Sequence, residues 1–200
     1  EFLLDNIGSC CSFVMAVAFV TRSGVACLHQ SIKEFGERGG TGTILVSTYL
    51  NFSDPSAIKA LSNFSGVHVR FVKEPNFHGK TYLFEHPDYA QIMIGSSNLT
   101  QNALGKNTEV NLGVCAKRES TLYQETVAQL DFWLGKAEEV TETNLESYAE
   151  AWKYAKRTIR LAAPSVVPEE IFSEVSQTTS TPAPFVALTP NQMQTPALEQ

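Results

Sequence analysis

The front of this chain alternates short apolar runs with helix-length amphipathic ones, and that alternation restricts the fold more than any other feature. Residues 13–21 (FVMAVAFVT) carry Val, Phe and Ala almost without interruption and read as a buried strand. Ser23 can cap a helix that runs to about Arg38, where Gly39-Gly40 stops it. Residues 43–49 (TILVSTY) are rich in β-branched side chains and give a second strand. Asp54 before Pro55 starts a second helix, ending near Asn63. Residues 67–73 (VHVRFVK) alternate in and out as a third strand. Strand–helix–strand–helix–strand predicts right-handed crossovers and parallel pairing. Residues 78–85, 90–95 and 109–116 are also strand-like and lie close together, so part of the sheet is expected to be antiparallel. A short helix over Leu99–Leu104 and longer ones over Thr121–Leu134 and about Leu145–Leu161 complete the reading. The expected class is α/β: a mixed, mainly parallel β-sheet flanked by helices.

From Pro164 the texture changes. Residues 176–184 (SQTTSTPAP) have the composition of a Ser/Thr/Pro linker. The expected organisation is a domain over 1–163, a linker over 164–186 and the start of a further domain over 187–200. The chain opens on Glu1 and closes in a helix-like run, Ala197 to Gln200, which reads as a piece of a longer protein.

The formal net charge of −6 is unevenly placed. Residues 1–118 hold ten Lys/Arg against nine Asp/Glu, and residues 119–200 hold five against twelve. The acidity therefore does not argue against a polyanionic substrate at the front. No apolar run approaches the length of a membrane span, so no membrane association is expected. Cys10, Cys11, Cys27 and Cys115 form no CxxC or Cys/His set of the zinc type. Cys27 and Cys115 are expected in the core, and a reducing cytoplasmic setting is the simpler reading.

Chemistry concentrates in residues 77–114. His78 and Lys80 are two apart, which on a strand puts both side chains on one face. An imidazole beside an ammonium supplies a nucleophile and a charge partner for the phosphate it attacks. Gly95-Ser96-Ser97-Asn98 follows the apolar Ile92-Met93-Ile94, so its polar groups emerge at a strand end, a common place for a site. Ser96 and Asn98 can donate to phosphate oxygens. Glu109 is a carboxylate that can orient an imidazole. Each piece alone is more often structural than functional. His29, His68 and His86 are read as structural, and Tyr82 and Phe84 as lining either the cleft or the core.

The ordered set resembles the HKD signature of the phospholipase D superfamily: H-x-K, then G-S-x-N, then an acidic residue after a short helix. It looks closest to the nuclease branch. The resemblance spans roughly residues 10–135 and is specific over 78–109. It implies that His78 is the nucleophile forming a phosphohistidine and that Lys80 and Asn98 hold the non-bridging oxygens. It further implies that Ser96 bonds nearby and that Glu109 orients the histidine, with no metal or other cofactor. The signature usually has Asp five residues after the Lys, where this chain has Glu85. Glu85 is odd-numbered and expected to face away from the catalytic side. Residues 188–194 (LTPNQMQ) resemble the entry segment of a superfamily II helicase, and phospholipase D-like domains in front of DEAD/DEAH-type helicases are a known arrangement.

Three functions follow as expectations. The first is a metal-independent nuclease module, acting on DNA ahead of RNA. The second is a non-catalytic DNA-binding or dimerising module of a helicase. The third, and least favoured, is a lipid phosphodiesterase. The chain has a single H-x-K, and the implied chemistry needs two histidines, so a two-fold homodimer sharing one cleft is expected.

Overall fold

The structure is a computed structural model and describes residues 1–162. The expected linker and the segment 187–200 lie outside the described residues. In chain order the elements are α1 (Phe2–Ser9), β1 (Ser12–Val17), α2 (Arg22–Glu37), β2 (Thr41–Ser47), a short 3-10 turn (Tyr49–Asn51), α3 (Pro55–Ser62) and β3 (Val67–Val72). Then follow β4 (Lys80–Glu85), β5 (Ala90–Gly95), α4 (Gln101–Gly105), β6 (Asn111–Ala116), α5 (Thr121–Gly135), β7 (Ala137–Glu139) and α6 (Glu142–Ala162).

One sheet runs β6-β5-β4-β1-β2-β3-β7. The joints β1–β2 and β2–β3 are parallel, as the two crossover helices require. The other four joints are antiparallel. The expected mixed sheet flanked by helices is present, with parallel pairing confined to β1, β2 and β3 and so the smaller share. β4 turns straight into β5 over four residues, a connection too short for a parallel crossover.

Apolar side chains fill both faces. On one, Phe13, Met15, Val17, Ile44, Val46, Phe71, Tyr82 and Phe84 meet α1, α2, α3 and α6 through Ile7, Leu28, Ile32, Phe35, Ile58, Leu61 and Tyr148. On the other, Ala16, Leu45, Val72, Leu83 and Ile92 meet Leu130 of α5, with Trp133 and Val127 alongside. Tyr82 and Phe84 are core residues, fully buried.

Several local expectations are corrected. Thr21, not Ser23, caps α2: its Oγ1 accepts from Gly24 N at 3.2 Å. The chain stays extended through Thr21, so the helix starts one residue later, inside which Ser23 already lies. Asp54 caps α3 as read, its Oδ1 accepting from Ser56 N at 2.8 Å. Cys27 falls off the buried stripe of α2 and Cys115 lies on edge strand β6, so both are exposed, and Cys10 is the buried thiol. Burial pushes the Cys10 thiol up to about 11. Helix α1 and strand β7 carry no clear sequence signal. The first is held by burial of Leu3 and Ile7, and the second by three pairs with β3.

Candidate active site

Strand order reverses at β1. Its parallel partner β2 lies on one side and antiparallel β4 on the other. In open α/β sheets, sites form at such a switch point, beyond the carboxyl ends of the parallel strands. The last residue of β1, Val17, pairs with the first of β4, Lys80. Past Val17 the chain stays extended, and Val20 bridges in parallel to Leu99. That bridge draws the GSSN segment over the same end of the sheet.

His78 lies two residues before β4 rather than in it. The expectation of a shared strand face is therefore replaced by a direct contact. Lys80 Nζ lies 2.8 Å from His78 Nδ1 and donates to the His78 carbonyl, also at 2.8 Å. Lys80 is buried and His78 exposed, so the ammonium supports the ring from beneath. Desolvation and, after it, the Lys80 charge hold the His78 imidazole below its ordinary value and favour the neutral ring. Desolvation also lowers Lys80, opposed by the charge of Glu109.

Asn98 is pinned by backbone. Its Oδ1 accepts from Phe19 N at 3.0 Å, while Leu99 N donates to Phe19 O at 3.1 Å. The amide's Nδ2 end is left to donate elsewhere. The ring of Phe19 stands edge-to-face with His78, centroids 5.2 Å apart. Phe19 thus joins Asn98 to His78: its backbone holds one and its ring touches the other.

Ser96 and Glu109 form a second cluster. Ser96 Oγ donates to the Glu109 carboxylate and accepts from Val110 N at 3.0 Å. Asn107 Nδ2 donates to the other carboxylate oxygen at 3.3 Å. Glu109 is thus bonded to Ser96 and Asn107, and His78 is held by Lys80. Its charge still reaches Lys80, which puts the two clusters in one electrostatic field. Behind them, Asn111 Nδ2 donates to Ser97 Oγ at 2.8 Å and buried Tyr82 donates to Ser97 O at 2.7 Å.

Glu85 faces the opposite side of the sheet, as its parity implies. It accepts from Arg118 Nε at 3.1 Å and from Tyr123 OH at 2.6 Å. His86 is buried, 3.0 Å from Asn6 Oδ1, and stacked on Tyr89; His29 packs against Phe64. Among the described residues no group of three His, Cys, Asp or Glu is gathered where it would hold a metal ion. No helix among them is long and apolar enough to cross a membrane. Sequence reasoning missed Phe19, Ser97 and Asn111. Ser97 and Asn111 are spaced like ordinary turn and strand-start residues, and Phe19 sits in an apolar run that predicts only burial.

The switch-point sheet and the His–Lys pair at its end define a phospholipase D-like domain. The family model described as "Cardiolipin synthase, PLD-like domain" matches residues 8–131, and the chain belongs to this family. Among solved structures it is similar to NucT from Helicobacter pylori, with 19% identity, a TM-score of 0.56, and coverage of 70% of this chain and 89% of that one. It is also similar to Nuc from Salmonella typhimurium, a phospholipase D family member, with 21% identity, a TM-score of 0.54, and coverage of 70% and 90%. Phosphatidylserine synthase from Haemophilus influenzae has the same fold at 17% identity and a TM-score of 0.54, over 80% of this chain and 42% of that one. None of the curated proteins matches the chain.

Proposed function

We propose that the chain is a metal-independent phosphodiesterase that cuts nucleic acid, DNA ahead of RNA, through a phosphohistidine. The contact between Lys80 Nζ and the His78 ring carries the proposal. A buried ammonium holding a neutral, exposed imidazole is the arrangement a nitrogen nucleophile needs before it meets a phosphate. On substrate binding Lys80 turns from the ring to a non-bridging oxygen, and the freed ring nitrogen attacks. An N–P bond forms, the P–O bond to the leaving nucleotide breaks, and water later cleaves the N–P bond. Lys80 and Asn98 Nδ2 stabilise the added charge on the oxygens. Ser96 holds Glu109, whose charge offsets part of the desolvation that lowers Lys80.

The leaving oxygen needs a proton, and a second histidine would give it. We assign that role to His78 of a second copy, in a two-fold dimer with one shared cleft. Ile94 and Leu112 support this reading. They are paired across β5 and β6, and with Val110 they are exposed hydrophobic side chains near Ser96 and Glu109 in the chain. The segment 188–194 suggests that the whole acts as the N-terminal module of a helicase.

Intact-mass spectrometry on protein quenched at neutral to alkaline pH during turnover of labelled DNA in EDTA tests the mechanism. A nucleotidyl adduct on wild type and none on His78→Ala is expected. Cleavage that chelation stops and magnesium restores would refute it.

A further inference from the structure

We infer that Ser47, at the end of β2, and Trp133 of α5 are positioning residues for the reaction: they fix the chain on either side of His78 so that its ring stands on the Lys80 ammonium. The inference rests on the phosphodiesterase reading above. Neither residue belongs to the H-x-K or G-S-x-N run, and both act through the backbone of residues 77–79.

Residues 73–79 join β3 to β4 without helix or strand, and His78 would swing with that segment if nothing held it. Lys73 N donates to Lys136 O at 3.0 Å and Phe77 N to Glu74 O at 3.3 Å. The decisive hold is on the Phe77 carbonyl. Ser47 is buried; its Oγ donates to Phe77 O at 3.0 Å and accepts from Tyr49 N at 3.0 Å. The Phe77 carbonyl and the His78 N–H belong to one planar peptide unit. Fixing that oxygen therefore fixes the plane from which the His78 side chain departs. A hydroxyl is costly to bury unless it is bonded, and this one is spent on the carbonyl that immediately precedes the histidine.

The other side of His78 is held by packing. Phe77 is buried in one core with Ala16, Leu45, Val72 and Leu130. Its ring stands edge-to-face with Trp133, centroids 5.1 Å apart. Both rings close on Gly79: a Cβ there would come within 3.0 Å of the Phe77 ring and 3.3 Å of Trp133 Cη2. The turn between His78 and Lys80 thus rests on two aromatic rings. Across that turn Lys80 Nζ reaches the His78 ring and the His78 carbonyl, each at 2.8 Å. Both contacts depend on the angle between successive peptide planes. A rotation at Phe77 or a drop at Gly79 would part the ring from the ammonium, and a misplacement of about 1 Å can cost on the order of 100-fold in rate.

The test uses the 200-residue chain, wild type against Ser47→Ala, Trp133→Leu and, as a control, Asn6→Ala. Asn6 bonds His86, just past the Glu85 end of β4 and away from the site. NMR titration reads His78, its signal identified by its loss in His78→Ala. Cleavage of bis-nitrophenyl phosphate in EDTA gives kcat and KM. In Ser47→Ala and Trp133→Leu the His78 titration should move up toward that of a free imidazole, because the ring gains water and leaves the ammonium. Their kcat should fall roughly 10- to 100-fold with KM held within about twofold. Asn6→Ala should lower the melting temperature and leave both readouts unchanged. Trp133 is half-buried, so its variant reports even if Ser47→Ala fails to fold. A wild-type titration in either folded variant overturns that residue's role, as does a shifted titration with kcat unchanged. An equal shift in Asn6→Ala overturns both roles, since general loosening would then suffice. If wild type cleaves no diester, the phosphodiesterase reading fails, and the titration alone judges whether Ser47 and Trp133 hold His78 on Lys80.

Discussion

Lys80 Nζ lies 2.8 Å from His78 Nδ1, with the lysine buried and the histidine exposed. The pair is a loaded arrangement: desolvation and, after it, the charge that would stabilise a bound phosphate both favour the neutral imidazole before the phosphate arrives.

The pH dependence follows from this pair. His78 is held below its ordinary value. The attacking copy must be neutral and the donating copy protonated. Thus kcat/KM should fall on the acid side as pH drops through that lowered value, and on the alkaline side as the donor loses its proton. Lys80→Met removes the second of the two causes and leaves desolvation. The acid limb of kcat/KM should then move to higher pH, though not fully to that of a free imidazole. NMR titration of His78 checks the shift. The same substitution should cost about 100-fold or more in kcat, because a transition-state charge partner is gone.

His78→Ala should abolish cleavage and leave the fold intact, since the ring is exposed and its described contacts are with Phe19 and Lys80. Circular dichroism and a thermal melt close to wild type, together with no cleavage of labelled DNA, are the expected outcome. Appreciable turnover would remove His78 from the mechanism.

Asn98 offers a separation of roles. Asn98→Asp keeps the acceptor for Phe19 N and replaces the donor with a negative charge. Stability should change little while cleavage falls steeply. Asn98→Ala loses both, and should also lower stability by about 1 kcal/mol through the missing hydrogen bond. Denaturant unfolding measured beside kinetics distinguishes the two.

The dimer proposal has its own test. Leu112→Arg puts a charge into the exposed apolar area that Leu112 shares with Ile94. Sedimentation should show a monomer, and cleavage should fall with it. A monomeric wild-type chain that cuts DNA would end the shared-cleft reading.

Gly24→Ala addresses the frame of the site. A Cβ there would come within 2.1 Å of Leu99 O and 2.7 Å of Thr100 Cα, both backbone atoms that cannot swing away. The clash falls where α2 meets the GSSN segment. A loss of about 1–3 kcal/mol of stability is expected, read from urea unfolding.

Much of this architecture is legible in the chain by itself. Strand and helix positions follow from hydrophobic period, from Asp54-Pro55 and from Gly39-Gly40. The H-x-K and G-S-x-N runs mark the site because their residue types are local and ordered. Tertiary structure decided what depends on distant segments. Phe19 holds Asn98 across 79 residues of sequence, and no periodicity in residues 13–21 separates its ring from the neighbours that face the core. The contact between His78 and Lys80 arises because β4 begins only at Lys80, where pairing with Val17 starts, and not from strand parity. Cys27 and Cys115 lie in apolar stretches yet are exposed, because burial is set by which face a neighbouring element covers. Local composition determines which elements form. Pairing across the sheet, a long-range choice made by packing, determines which of their side chains meet.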